Sequence, residues 1–357
     1  MFRFEQLESV HLEITNNCQA SCPMCARNVH GGLPNPLIKV KDWTLDEFKT
    51  IFNQSVLTTI KRFYFCGNFG DPILNNDLAE MCKYATEVNS DIQIKIHTNG
   101  GARKSEWWAN LAKVLPTDHA VIFGIDGLED THHLYRVGTT FDNVINNAKA
   151  FISAGGKAEW AFIKFKHNEH QHEQARALAK ELGFEKFTLK NSTRFIGEPT
   201  FAVFDKAGKT THTLQPPTDN KVQFISKKVL EEYKDKVMTL DINCKVLNSK
   251  EIYIDAYKDV YPCCWIGAVP YTFYDQVNVA PALTTQIKQQ FNELKAELGN
   301  TNALELSIES VVNSNAWQTV WDKYWTTKKM ITCARICGNS KEISRPEDQF
   351  VKREIFS

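Results

Sequence analysis

Short runs of apolar and β-branched residues alternate along the chain with longer stretches whose apolar positions recur every three or four residues. The run Val10-His11-Leu12-Glu13-Ile14-Thr15 opens the series as a strand over 10–15, and 61–65, 92–96, 119–123, 159–165 and 184–190 read as five more. Between them, Leu78, Met81, Cys82 and Ala85 form one buried helix face, and Ala175, Leu178, Ala179 and Leu182 form another that Gly183 stops. The pattern also predicts helices over 104–115, over 140–153 and over 44–56, where Thr44 and Glu47 make a capping box. Six strand-helix alternations predict an α/β fold with a parallel sheet, doubly wound or curled into a barrel. Periodicity alone does not separate the two.

From about 195 to 240 the alternation fails. Pro199, Gly208, Pro216 and Pro217 mark loops, and 222–237 reads as a mixed polar segment. Residues 251–264 then resemble a β-hairpin whose second strand delivers a thiol. Two more helices are expected, one over 284–298 with Ile287, Phe291, Leu294 and Leu298 on one side, and one over 314–327 with Trp317, Val320, Trp321 and Tyr324. The charged stretch from Asn339 to Ser357 is expected to pack loosely.

A chain of 357 residues with 43% hydrophobic and 24% charged residues can bury one large domain and a smaller one. Its 42 basic and 42 acidic residues create no bulk field for nucleic acid or an anionic membrane. The opening Met1-Phe2-Arg3-Phe4-Glu5-Gln6 has no basic and apolar leader pattern, and no apolar run of about 18 residues follows, so a cytoplasmic location is the expectation. Ten cysteines in tight groups favour metal ligands in a reducing compartment over disulfides.

Three of those thiols, Cys18, Cys22 and Cys25, lie in the loop after the first strand. A closed structural site takes four protein ligands, whereas three leave a position for water or substrate. A metal or iron–sulfur site is the first hypothesis. A zinc knuckle with a distant fourth ligand is the alternative.

The C-x3-C-x2-C spacing closely resembles the signature of the radical S-adenosylmethionine (SAM) enzymes. That resemblance implies a partial (β/α)6 TIM-type barrel over residues 1–195 and a [4Fe-4S] cluster on Cys18, Cys22 and Cys25, whose fourth iron binds the amino and carboxylate groups of SAM. The loop Gly67-Asn68-Phe69-Gly70-Asp71-Pro72 looks like the family's Gly-Gly-Glu-Pro loop, which implies Gly67, Gly70 and Asp71 as SAM contacts. Thr98-Asn99-Gly100 matches the usual end of strand three. Gly124-Ile125-Asp126-Gly127 resembles the Ser-Ile-Asp-Gly end of strand four, with Gly124 where a hydroxyl would stand and Asp126 as a hydrogen-bonding residue; capping a turn is its plainer role. Arg136 and Gly138 resemble the family's arginine and glycine on the helix approach. Met24 fits the bulky position near the adenine, where packing alone would also explain it. Asn168 resembles a cofactor-side polar contact, although Asn is also a common helix cap.

Towards the C-terminus, Cys244, Cys263, Cys264, Cys333 and Cys337 resemble the auxiliary-cluster domains called SPASM and twitch. The cysteines are too few for a full SPASM set, so the resemblance implies a twitch-like domain over 241–340 after a linker over 196–240, with a tail over 341–357. Its implied ligands are Cys244, Cys263, Cys333 and Cys337 around a second [4Fe-4S] cluster, leaving Cys264 ambiguous. Four thiolates also suit zinc.

The resemblance therefore implies an oxidoreductase that cleaves SAM reductively and abstracts a substrate hydrogen atom, with a low-potential donor such as flavodoxin. The substrate implied is a peptide or protein, with a small polar metabolite such as a sugar alcohol nearly level, because only 17 residues precede Cys18 and leave no room there for a peptide-recognition domain. No proton acceptor or radical quencher can be named; Cys66, Tyr135, Lys164 and Lys166 are candidates by chemistry, with structural roles as the plainer account. A non-catalytic metal-binding scaffold would explain the thiols but not the glycine loops at successive strand ends.

Overall fold

Alternation within the strands decides which way the sheet faces. In β1 (Ser9–Leu12), β2 (Arg62–Phe65) and β3 (Gln93–Thr98), the side chains of Val10, Leu12, Phe63, Phe65, Ile94 and Ile96 are buried in the main core, so Ser9, His11, Tyr64, Lys95 and His97 take the other face. β4 (Ala120–Gly124), β5 (Ala158–Lys164) and β6 (Lys186–Asn191) continue the same sheet. The computed structural model describes residues 1–115, 119–192, 194–195, 199–219, 238–271, 281–339 and 349–356.

The six strands run parallel in chain order. Their apolar face is covered by α1 (Leu45–Ile51), α2 (Gln54–Thr59), α3 (Leu78–Val88), α4 (Ser105–Val114), α6 (Phe141–Ser153) and α7 (His172–Glu181), with the single turn α5 (His132–Tyr135) before α6. Burying one large apolar side chain such as Phe63 or Phe123 contributes about 1.5–3 kcal/mol, which ties the strand order to the helix layer. The opposite face stays polar. Across it runs a row of rings, Tyr253, His11, Tyr64 and His97, each meeting the next edge-on with centroids 4.9 Å apart.

Beyond β6 the described residues hold a hairpin, β7 (Phe201–Phe204) and β8 (Thr210–Leu214), where only loops were expected. It packs on the cysteine loop: His30 stacks on Phe201 and Phe204, and Val203 and Leu214 join Ala20, Cys22 and Met24 in a second apolar cluster. The polar segment 222–237 lies outside the described residues.

The C-terminal region is α8 (Lys245–Ser249), the hairpin β9 (Glu251–Ile254) and β10 (Val260–Tyr261), α9 (Cys264–Gly267), α10 (Pro281–Leu298), α11 (Ile308–Asn313), α12 (Asn315–Trp325) and α13 (Ile331–Cys337). β9 pairs parallel with β1, so the expected hairpin extends the main sheet. β11 (Phe350–Ile355) pairs antiparallel with β6 at the other edge. The full order is β10-β9-β1-β2-β3-β4-β5-β6-β11, a mixed nine-stranded sheet that is open among the described residues.

Three further expectations change. The helix over 44–56 is two, because Phe52 leaves helical geometry (φ −102°, ψ 59°) and the Asn53 side chain accepts from the Val56 amide to start α2. The helix over 314–327 shortens to α12, preceded by α11, with the Ser314 side chain accepting from the Trp317 amide. The C-terminal stretch, expected loose, supplies β11, a strand held by its backbone while most of its side chains face solvent.

Candidate metal centre and cofactor site

The chain leaves β1 through Thr15 and enters a loop fixed mainly by backbone bonds. The Ser21 amide donates to the Val137 carbonyl at 2.8 Å and the Cys25 amide to the Cys22 carbonyl at 3.0 Å. Arg27 donates to the Asn16 carbonyl. Cys22 is buried, and Cys18 and Cys25 are partly exposed.

Two N–H donors point at the sulfurs, Asn99 Nδ2 at 3.6 Å from Cys18 Sγ and Arg136 Nη1 at 3.9 Å from Cys22 Sγ. Burial pushes the Cys22 thiol up to about 11 against the pull of Arg136. Burial also raises Cys18, with the Asp71 charge adding to it. A bound cationic centre would reverse this and hold the thiolates. Among the described residues no three His, Cys, Asp or Glu side chains converge tightly enough for a single metal ion. Three thiols on one loop, two of them met by N–H donors, fit an iron–sulfur cluster held by thiolates.

The loop after β2 wraps around Glu13, a residue the sequence reading passed over. Its buried carboxylate accepts from the Phe69 amide at 2.8 Å and the Gly70 amide at 3.0 Å, and Tyr253 donates its hydroxyl to the other oxygen. Consecutive amides gathered on one anion make a nest. Gly70 is required there, since a Cβ would run into the Thr15 carbonyl oxygen. Glu13 follows His11 at strand alternation with Leu12 and Ile14, so an inward acid was detectable; its partner Tyr253 was not.

Asp71 is turned inward. Its Oδ2 accepts from Thr98 Oγ1 at 3.0 Å, the Asn99 amide at 2.7 Å and Asn99 Nδ2 at 2.6 Å, and its Oδ1 from the Ile73 amide at 3.3 Å. The carboxylate, raised by burial and lowered by these donors, links the ends of β2 and β3. Asn99 carries that link on to Gln19, whose Nε2 donates to Asn99 Oδ1 at 2.7 Å.

At the end of β4, Asp126 is fully buried, bound to Arg136 at 2.6 Å and accepting from the Ile163 amide. A Cβ on Gly124 would run into Arg136 Nη2, so the guanidinium occupies the space where a serine would stand. Asn168 lies beneath. Its Oδ1 accepts from the Phe165 amide at 2.7 Å and its Nδ2 donates to the Asp126 and Ile163 carbonyls, so its polar atoms brace the backbone around Asp126. Met24 is buried, with Ser192 Oγ 3.5 Å from its sulfur and Arg194 donating to its carbonyl.

Among Cys66, Tyr135, Lys164 and Lys166, the candidates for proton or radical transfer, the last three cluster around Phe165. Lys164 pairs with Asp219 at 2.7 Å and Lys166 with Glu169 at 2.9 Å. Tyr135 packs on Phe165. Burial raises Cys66 to about 11.

In the C-terminal region, Cys244, Cys263, Cys333 and Cys337 line one small, largely apolar pocket of about 20 Å³, walled by Trp265, Trp325 and Ile336. Cys333 and Cys337 share a face of α13, and the Asn243 amide donates to the Cys337 carbonyl at 2.9 Å beside Cys244. Cys264 does not line the pocket. Its thiol is raised chiefly by burial, with Cys263, Cys66, Glu251 and Glu13 nearby.

With this geometry in hand, residues 12–179 match the Radical SAM superfamily. A PqqA peptide cyclase from Bradyrhizobium diazoefficiens is 31% identical over 80 residues, which are 22% of this chain and 19% of the cyclase; the alignment thus spans about a fifth of that relative's length. Among solved structures, Streptococcus suis SuiB bound to precursor peptide SuiA superposes with a TM-score of 0.53 at 13% identity, covering 88% of this chain and 67% of SuiB. Native anSMEcpe with bound AdoMet and a Kp18Cys peptide gives a TM-score of 0.51 at 14% identity, covering 96% and 92%. At these identities the likeness is one of fold.

Proposed function

We propose that the chain is a radical SAM enzyme acting on a peptide or protein, a reading supported by the match of residues 12–179 to the Radical SAM superfamily. What supports this reading is the gathering of three thiols on one loop at the C-terminal ends of parallel strands, where Asn99 donates to Cys18 and Arg136 to Cys22. In it, the first six strands form the partial barrel over 1–195, and Cys18, Cys22 and Cys25 hold a [4Fe-4S] cluster. With both bound, the cluster would supply to the AdoMet sulfonium one electron taken from a low-potential donor, the chemistry that would open hydrogen-atom abstraction from substrate.

The chain's own residues prepare that site. Arg136 places positive charge beside Cys22, and Asn99 donates to Cys18, which stabilises thiolates and tunes potential. Glu13 holds the amides of Phe69 and Gly70 to one side. In a trans peptide each carbonyl lies opposite its amide, so the oxygens of Asn68 and Phe69 face away from Glu13, ready to accept from the amino group of AdoMet. Asp71, Thr98, Asp126 and Asn168 keep the strand ends in register, and Met24 shields the cysteine loop with the β7–β8 hairpin.

Cys244, Cys263, Cys333 and Cys337 are the proposed ligands of a second [4Fe-4S] cluster in a twitch-like domain over 241–340; their sharing of one apolar pocket supports it. A low-potential donor such as flavodoxin and a cytoplasmic setting complete the proposal. Among the described residues no helix is long and apolar enough to cross a membrane. The peptide substrate follows the precursor peptide of SuiB and the peptide of anSMEcpe. A small polar metabolite is the second reading.

The test is anaerobic reconstitution followed by an assay for reductant-dependent 5′-deoxyadenosine, with iron and zinc counted. Product with about eight irons per chain supports two cubanes. Zinc in place of iron and no cleavage would sink the radical mechanism.

A further inference from the structure

The loop proposed to face AdoMet is fastened to the C-terminal region at three points. Tyr253, on β9, donates its hydroxyl to Glu13, whose second oxygen holds the Phe69 and Gly70 amides. Asn68 Nδ2 donates to the Tyr253 hydroxyl at 3.2 Å and to the Cys264 carbonyl at 2.9 Å. The Glu13 amide itself donates to the Ile254 carbonyl at 3.0 Å. Glu13 and Tyr253 are both buried, at 2% and 0% exposure, so water does not replace these bonds when one is lost.

Cys264 follows Cys263, which lines the four-thiol pocket. Fixing the Cys263 sulfur fixes the peptide unit whose neighbouring carbonyl Asn68 grips. We propose that Tyr253 and Asn68 are positioning residues that make the affinity for AdoMet depend on whether the four-thiol pocket is loaded. The coupling rests on the functional reading above, since it presumes that AdoMet binds beside the loop. Its physical content is that an unloaded pocket frees the Cys263-Cys264 segment, relaxes the Asn68 anchor, and lets the amides of Phe69 and Gly70 turn, carrying their neighbouring carbonyls off the amino group. No chemical step passes through Tyr253.

The test is AdoMet binding by equilibrium dialysis on the anaerobically reconstituted full chain, with the change in the reduced N-terminal cluster's EPR signal on AdoMet addition as a second readout. Cys263→Ala empties one corner of the pocket without touching the loop, and Tyr253→Phe keeps the ring and deletes only the hydroxyl. Each is expected to raise the Kd for AdoMet roughly tenfold, the size of one or two buried hydrogen bonds. Cys18, Cys22 and Cys25 should keep their iron in both variants.

The decisive comparison is the double variant. In the Tyr253→Phe, Asn68→Ala background, Cys263→Ala should add little, because the connection is already cut. Full additivity, or an unchanged Kd in Cys263→Ala, overturns the coupling while leaving the enzyme reading intact. Failure of wild-type protein to bind AdoMet overturns the reading and the coupling with it. Should Asn68→Ala not fold, Asn68→Ser serves in the same cycle.

Discussion

Arg136 Nε donates to Asp126 Oδ2 over 2.6 Å, and the same guanidinium reaches to within 3.9 Å of Cys22 Sγ. Asp126 is fully buried, and burial raises its carboxyl while Arg136 pulls it back down. Arg136→Ala leaves that carboxylate without its cation, which costs about 3–5 kcal/mol. Asp126→Asn keeps the shape and should cost less. Urea unfolding of the three proteins checks the order, and the double variant should lose less than the two single losses combined.

Gly124→Ser would supply the hydroxyl found at the end of strand four in the resembled family. Here it should reduce 5′-deoxyadenosine formation rather than help, because its Cβ meets Arg136 Nη2 and moving the guanidinium breaks the Asp126 pair. Gly70→Ala should be worse, since its Cβ meets the Thr15 backbone, which cannot swing aside. Equal turnover by Gly124→Ser and wild type would refute this account.

Cys244→Ala and Cys264→Ala separate pocket from neighbour. The first removes a thiol that lines the C-terminal pocket and should lower the iron count by about four per chain. The second should leave the count unchanged. Iron analysis after reconstitution reads both.

Acid should weaken the fold through buried imidazoles. His132 is buried, and desolvation, with Arg136 adding to it, pushes its pKa down to about 3; burial takes His11 down to about 4. Both are neutral in the folded chain, while the unfolded chain protonates them near 6.5. The unfolded state therefore binds the extra protons between about pH 6.5 and these lower values, and stability falls as pH drops through that window, by up to about 1.4 kcal/mol per pH unit per group. Denaturation of wild type and His132→Gln at about pH 7.5 and 5.5 should show a shallower pH slope in the variant.

The strand and helix series was legible because each element is written in a local period, as with Leu78, Met81, Cys82 and Ala85, all buried on α3. The four pocket thiols were legible through family resemblance. Less visible were features set by distant partners. β11, with Lys352, Arg353 and Glu354, lacks a buried face and exists because the edge of β6 offers it backbone bonds. The partners of Asp71 were hidden as well, since Thr98 and Asn99 reach it only once β2 and β3 are side by side. The Phe201–Phe204 strand was masked by the prolines around it, and its stacking on His30 crosses most of the barrel sequence.

β1 lies between β2 and β9, and Ser9 faces Glu251 across 242 positions of chain. As the polypeptide leaves the ribosome, the strand carrying the cysteine loop gains its first neighbour early and waits with one bare edge until β9 is made. Pairings so remote in sequence are slow to form. Until then that edge is open to whatever else can add to an unpaired strand. For the same reason a cut between the two regions would reopen that edge, so the C-terminal region serves as the lock on the first strand as well as the wall of its own thiol pocket.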